Sequence, residues 1–381
     1  MSIFEYAAWD DSQDPTGSNA ESIFDKLAEY MMSSGDEIWR SIDTSDEDTQ
    51  EILELIRKEG LIEKDSEGRF RVTARGLRRI EQSALSSLFQ SFNRDAMGKH
   101  DTAQKGAGSV VLEESKPYEY GDNLAHLNLH ETMRNAIGRR GAGTPVRLEQ
   151  DDFVVYETEF QTSCSTVVLI DMSGSMNRFG KYAMTKQVAL GLLAMVRAQY
   201  PGDKVMMVGF YSYASPMTER ELLNSAPKPV SLFDPRVHLR ISLDQPSKKV
   251  PQHFTNIHAG LKLARNMLSR ETTPNKQVIL ITDGEPTAHI EGRDLLLIYP
   301  PSPKTAAATL TEARRCAAAG IRVSSFALVE DYYYFGLVNF VGELARVTRG
   351  VAGYCTAEQL GQAVFENFTT GRKQRQVKRL R

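Results

Sequence analysis

The chain has 381 residues, 41% of them hydrophobic and 25% charged, which is ordinary globular composition with length enough for more than one domain. Its formal net charge of −3 gives no overall field of the kind that draws a protein onto nucleic acid or a membrane surface. The charge is uneven along the chain, with an acid-rich front (Asp10, Asp11, Asp14, Asp25, Asp36, Asp46 and Asp48 against Lys26 and Arg40) and a tail, "GRKQRQVKRLR" at 371–381, that holds six basic residues and no acid.

The opening "MSIFEYAAWDDSQD" lacks the basic start and apolar core of an ordinary signal peptide. Residues 1–88 read as an acidic, mostly helical module. Within it, "ILELIRKEGLIEKDSEGRFRVTARGLRRIEQSAL" (52–85) predicts a helix with Ile52, Leu55 and Ile56 on one face, two short strands around "DSEG", and a further helix. That is the outline of a winged helix. A DNA-binding reading rests on Arg69, Arg71, Arg75, Arg78 and Arg79, but the acidic helix "SDEDTQEILELI" would repel phosphates, so a packing or protein-interaction module is expected.

Residues 89–160 carry glycine-bearing pieces, "GKHDTAQKGAGS" and "RRGAGTPVRL", and are expected to be a connector lying against the next domain. In "HLNLHE", His126, His130 and Glu131 run H-x-x-x-H-E, which places the acid outside the histidine pair, so a structural role is expected rather than a zinc site.

From 161 to 370 apolar strands alternate with helices. "STVVLI" (165–170) is an uninterrupted apolar run of strand length, as for a parallel strand covered on both faces. A helix over 181–200, strand 204–212, helix 256–270, strand 276–282, and the helix–strand unit "KTAAATLTEARRCAAAG"–"IRVSSFALV" follow. They are succeeded by a helix in "LVNFVGELARVTRG", a short strand near "VAGYC" and a closing helix "AEQLGQAVFENF". This pattern predicts a doubly wound, mostly parallel α/β sheet, in which ligands bind at the carboxyl ends of the strands. Residues 371–381 form a basic tail. Cys164, Cys316 and Cys355 are far apart with no CxxC pair, so reduced, buried thiols are expected, and no apolar stretch reaches the ~18–20 residues of a membrane helix. A soluble, cytoplasmic protein is the expectation.

Asp171, Ser173 and Ser175 in "LIDMSGSMNRFG" follow the first apolar strand, and Asp283 in "ITDGEPT" follows another. Thr255 in "FTNIHAGL" precedes a helix. Carboxylates and hydroxyls from three loops, without His or Cys, suit a hard cation: Mg²⁺, with Mn²⁺ or Ca²⁺ as competitors. Capping of the helix that begins near Lys181 accounts for one or two such residues, not for the whole set.

"DMSGSM", Thr255 and "TDG" resemble the metal-ion-dependent adhesion site of von Willebrand factor A (VWA) domains, a Rossmann-like α/β fold, matching D-x-S-x-S, Thr and Asp in order over about 200 residues. The resemblance implies that Ser173, Ser175 and Thr255 touch the metal and that Asp171 and Asp283 bind it directly or through water. Where the family often has Gly before the Thr, this chain has Phe254. Glu285 and Thr287 extend the Asp283 loop, with a shaping role expected. Taken with the front module, "KPYEYGDNLAHLNLHETMRNAIGRR" and "DDFVVYETEF", the chain is similar to bacterial VWA proteins that work with MoxR-type AAA+ ATPases.

Enzymatic signals are weak. There is no G-x-x-x-x-G-K-[ST] loop, "DMSGS" lacks the second acid of a D-x-D phosphatase, and Ser175 is not in a G-x-S-x-G elbow. The expected function is a non-enzymatic, metal-dependent adaptor that captures an Asp or Glu of a partner, a AAA+ ATPase or its client. A winged-helix DNA-binding regulator and a Mg²⁺-dependent hydrolase are the alternatives.

Overall fold

The computed structural model describes residues 20–42, 46–92, 105–119, 127–141, 145–159, 163–231, 234–244, 249–329 and 335–378. Asp10, Asp11, Asp14, Asp48's side chain, His126 and the side chains of the basic tail lie outside the described residues.

The front module contains α1 (Ala20–Ser34), α2 (Glu37–Ser41), α3 (Glu47–Lys58), strands β1 (Ile62–Lys64) and β2 (Phe70–Val72), and α4 (Ala74–Phe92). Asp46 caps α3 by accepting from the Thr49 amide at 3.1 Å, and Asp65 closes the hairpin turn by accepting from the amides of Glu67 and Arg69 at 2.8 and 2.9 Å. The helix–strand–strand–helix order is as expected, but the buried face of α3 is not. Leu53 and Ile56 enter the core, while Ile52 and Leu55 are 40% and 41% exposed, because α3 packs on α1 through an i, i+3 pair one position away. Several of the module's arginines are met by its own acids: Arg71 Nε lies 2.9 Å from Glu63, Arg69 Nε 3.2 Å from Asp65, and Arg79 2.8 Å from both Glu21 and Asp25.

In the middle segment β3 (Lys105–Pro117) pairs antiparallel with β4 (Val154–Glu159), and α5 (Leu129–Arg140) lies between them in sequence. Asn128 caps α5 by accepting from the Glu131 amide at 3.1 Å, and Glu131 itself accepts from the Ser115 hydroxyl. His130 is exposed.

The carboxyl half is a six-stranded sheet. Its strands are β5 (Cys164–Asp171), β6 (Lys204–Phe210), β7 (Ala214–Met217), β9 (Asn275–Thr282), β12 (Ile321–Leu328) and β13 (Ala352–Cys355). The spatial order is β13-β12-β9-β5-β6-β7, parallel throughout except for β7, which runs antiparallel to β6 at the edge. Every residue of β5 is buried, and alternate side chains serve two cores: Val168 and Ile170 on one face, Val167 and Leu169 on the other. Each such apolar side chain contributes roughly 1.5–3 kcal/mol by leaving water.

One face is covered by α8 (Ile257–Ser269), α9 (Pro303–Ala318) and α10 (Phe335–Thr348). The other is covered by α6 (Lys181–Gln199) and α11 (Leu360–Lys378), with α7 (Glu219–Asn224) beside them. The front module is continuous with this second core. Phe24, Met31, Ile80 and Leu88 share a cluster with Val188, Leu192 and Ile170, and a β-carbon added at Gly191 of α6 would lie 2.8 Å from Leu88 of α4. Lys186 of α6 is buried at this seam and donates to the carbonyls of Met31 and Leu223 at 3.0 and 2.8 Å. Arg197 of α6 forks onto Glu81 of α4, both contacts at 2.9 Å.

A second sheet was not foreseen from the sequence. Strands β8 (Val237–Ser242), β10 (Ala288–Glu291) and β11 (Asp294–Tyr299) form an antiparallel trio in the order β10-β11-β8. It grows from the two loops that flank α8 and β9, so it stands beside the carboxyl edge of the main sheet. Cys164, Cys316 and Cys355 are free and buried, and among the described residues no helix is long and apolar enough to cross a membrane.

Candidate metal centre

β5 and β9 are neighbours paired in register, Ile170 beside Ile281, so Asp171 and the Thr282–Asp283 pair emerge side by side at one sheet edge. Beyond β5 the chain turns through a short 3-10 helix, Gly174–Asn177, that presents Ser173 and Ser175. A β-carbon at Gly174 would lie 2.6 Å from Val230 and 3.3 Å from the Lys228 carbonyl, so only glycine lets this turn press against the loop after α7.

Asp171 is fully buried. Its Oδ1 accepts from the Ser173 amide at 2.8 Å and its Oδ2 from the Thr282 hydroxyl at 2.6 Å. Burial, and then the negative charge of Asp283, push its carboxyl above the usual carboxylate range; the Thr282 and Ser173 donors pull the other way. The hydroxyls of Ser173 and Ser175 are 3.2 Å apart, and Ser175 Oγ donates to Asp283 Oδ1 at 2.6 Å. Asp283 Oδ2 accepts from Lys181 Nζ at 3.0 Å.

Thr255 enters from the opposite loop. Its amide donates to the Thr287 hydroxyl at 2.9 Å and its carbonyl accepts from the amides of Thr287 and Ala288 at 3.0 and 3.2 Å. Its hydroxyl sits beside the Asp283 loop, 3.5 Å from where a β-carbon on Gly284 would stand. Asn256 fixes the loop's exit by accepting from the Ala259 amide at 2.9 Å, which starts α8, and by donating to the Ser212 carbonyl at 2.8 Å. Phe254 is buried with Val237, Val250, Ala288, Leu295 and Leu297, so its ring pins the Thr255 loop to the second sheet. That packing supplies a physical role for the bulky residue where glycine is common.

All five side chains named from the sequence, Asp171, Ser173, Ser175, Thr255 and Asp283, therefore face one sheet edge. Ser173, Ser175 and Asp283 are linked in one hydrogen-bonded chain, Asp171 is joined to it through the Ser173 backbone, and Thr255 lies alongside. The donor set is oxygen only. Among the described residues no group of three or more His, Cys, Asp and Glu could hold a metal, so a cation here would draw on hydroxyls and water as well as carboxylate. Two close buried acids with hydroxyls fit a hard divalent ion and fit a thiolate- or imidazole-loving one poorly. Thr287, expected to shape the Asp283 loop, does so by accepting from the Thr255 amide. Two participants escaped sequence reading, and of these Thr282 is an ordinary strand-end residue by pattern. Lys181 carried a signal, since it is a cation at the first position of a helix, where the dipole disfavours positive charge.

Residues 164–369 match the family model described as Rv0959-like protein, vWA domain, and residues 110–158 match Rv0959-like protein, third domain. Among curated proteins, the chain is 28% identical over 336 residues to the uncharacterized protein Rv0959 of Mycobacterium tuberculosis (strain ATCC 25618 / H37Rv). It is equally similar to the uncharacterized protein Mb0984 of Mycobacterium bovis (strain ATCC BAA-935 / AF2122/97). Each alignment covers 86% of this chain and 46% of the relative, so the chain spans about half the length of the curated relatives it matches.

Three similar solved structures belong to pilus proteins. The vWF domain of the type V pili tip protein Mfa5 from Porphyromonas gingivalis is 14% identical, with a TM-score of 0.39, over 56% of this chain and 96% of that one. The PilB minor pilin of Streptococcus sanguinis is 15% identical, with a TM-score of 0.40, over 62% and 66%. The pilus adhesin SpaC of Lactobacillus rhamnosus GG is 19% identical, with a TM-score of 0.39, over 57% and 32%.

Proposed function

From the premise that the chain belongs to the Rv0959-like family of vWA-domain proteins, we propose that it is a non-enzymatic adaptor. It captures an acidic side chain of a protein partner at a metal site on the sheet's carboxyl edge. The observation that carries this reading is the hydrogen-bonded run from Ser173 through Ser175 to Asp283, set against the buried carboxylate of Asp171. Ser173, Ser175 and Thr255 would hold the ion, with Asp171 and Asp283 binding it directly or through water; Mg²⁺ suits this set best, ahead of Mn²⁺ or Ca²⁺. A bound divalent ion supplies an electrophilic position for an outside carboxylate.

The chain's own residues do the rest. Thr282 and the Ser173 amide hold Asp171 in one orientation, so the carboxyl group behind the hydroxyls is positioned in advance. Thr287 and Phe254 hold the Thr255 loop to the second sheet, whose position beside the edge provides walls for a partner. The Ser175 hydroxyl meets a carboxylate, but Asp283 is also engaged by the Lys181 ammonium, which weakens it as a base and supports an adaptor over a hydrolase. Internal pairing of Arg69, Arg71 and Arg79 with acids argues against phosphate contacts by the front module. The partner class, a MoxR-type AAA+ ATPase or its client, is what the resemblance of the sequence to VWA proteins of that kind implies. Surface plasmon resonance against a purified MoxR-type ATPase tests it: binding in Mg²⁺ that is lost in EDTA and in Asp171→Ala agrees, and binding that persists in EDTA contradicts metal-mediated capture.

A further inference from the structure

Lys181 is the first residue of α6, and the residue before it, Gly180, offers no side-chain cap. A cation at that position works against the helix dipole, so its placement asks for another cause. The chain reaches it through two successive left-handed residues, Phe179 at φ 57° and Gly180 at φ 66°, an arrangement that a non-glycine residue such as Phe179 adopts only under constraint. The turn brings the Lys181 side chain back beneath the loop. There it is only 11% exposed and its ammonium lies 3.0 Å from Oδ2 of Asp283, whose side chain is 1% exposed. The Phe179 ring, 73% exposed as a residue, lies on the outer side with its centroid 5.8 Å from the ammonium.

We propose that Lys181 is a resident counter-cation that sets the metal affinity of this site. The inference rests on the metal reading given above. Two buried acids stand close together at the sheet edge, and Lys181 neutralises one of them permanently. A divalent ion arriving beside Ser175 therefore meets the equivalent of one free carboxylate instead of two and a like charge at Asp283, so it binds more weakly than the oxygen set alone would allow. The same arrangement leaves a bound ion less neutralised by its own protein, which strengthens its pull on an outside carboxylate. Lys181 thus lowers retention of the metal and raises its electrophilicity, and it keeps Asp283 aligned on Ser175 in the metal-free chain.

The test is titration of the full chain with Mn²⁺, free ion being read by electron paramagnetic resonance, for wild type, Lys181→Met and Lys181→Arg. The proposal expects Lys181→Met to bind Mn²⁺ tighter by on the order of tenfold or more, with Lys181→Arg staying near wild type. Tight binding by Lys181→Met where wild type binds none also supports it. Equal or weaker binding by Lys181→Met, with wild type binding normally, overturns the role of Lys181 and leaves the metal site standing. No binding by any of the three overturns both. Should Lys181→Met melt early in EDTA, its Mn²⁺-induced rise in melting temperature is compared with that of wild type: a larger rise agrees, an equal or smaller one overturns the proposal.

Discussion

Ser175 Oγ donates a 2.6 Å hydrogen bond to Asp283 Oδ1 across 108 residues of sequence, joining the loop after β5 to the loop after β9. The other oxygen of that carboxylate holds the Lys181 ammonium, so Asp283 is the node on which both loops and the start of α6 converge.

Removing each side of that node has a different cost. Ser175→Ala deletes one hydrogen bond and should lower stability by about 1 kcal/mol, whereas Asp283→Ala takes the carboxylate away from a buried ammonium and should cost ~3 kcal/mol. Urea unfolding of the metal-free chain checks the order; equal losses would mean that Lys181 does not depend on Asp283.

Thr282→Val keeps the shape of the strand end but removes the donor to Asp171 Oδ2. The expected loss is on the order of 1–3 kcal/mol with weakened cation binding, while Thr282→Ser restores both. Calorimetric titration with Mg²⁺ and chemical denaturation of the two variants measure it.

Phe254→Ala leaves a cavity among Val237, Val250, Ala288, Leu295 and Leu297 and should cost ~3 kcal/mol. Because the same ring anchors the residue before Thr255, amide hydrogen exchange should quicken in the Thr255–Asn256 segment and in β10, and leave the centre of β5 protected.

Lys186 gives a pH signature. Burial pushes its ammonium down to about 7 from the ordinary 10.5. Between those values the unfolded chain holds a proton that the folded chain has released, so stability rises with pH through that window and the gain disappears as pH falls to about 7. The Met31 and Leu223 carbonyls accept from the charged form and offset part of the effect, leaving a gain on the order of a few kcal/mol. Urea midpoints compared at roughly pH 7 and pH 9.5 should rise for wild type relative to Lys186→Met; parallel behaviour of the two would refute the assignment.

Much of this was legible in the sequence because buried parallel strands write themselves as unbroken apolar runs. "STVVLI" and "KQVILI" located β5 and β9, and with them the carboxyl-edge positions of Asp171 and Asp283. The second sheet was illegible for the converse reason. β8, "VHLRIS", has one buried residue, and β10 has four residues, so neither carries a period that separates it from a loop. In α3, Ile52 and Leu55 fit a helical apolar face as well as Leu53 and Ile56 do, and only the docking of α1 decides between them. The sequence marks Lys181 only as a cation at the start of a helix; that it turns back onto Asp283 depends on the two left-handed residues before it, which the pattern does not carry.

The claim that the whole account stands on is that these oxygens share a divalent ion. Anomalous diffraction from crystals grown with Mn²⁺ addresses it directly. The account predicts a peak within about 2.5 Å of the Ser173 and Ser175 hydroxyls that is lost in Asp171→Ala crystals. A well-ordered Ser173–Ser175–Asp283 cluster without that peak, at Mn²⁺ concentrations in the millimolar range, would contradict it.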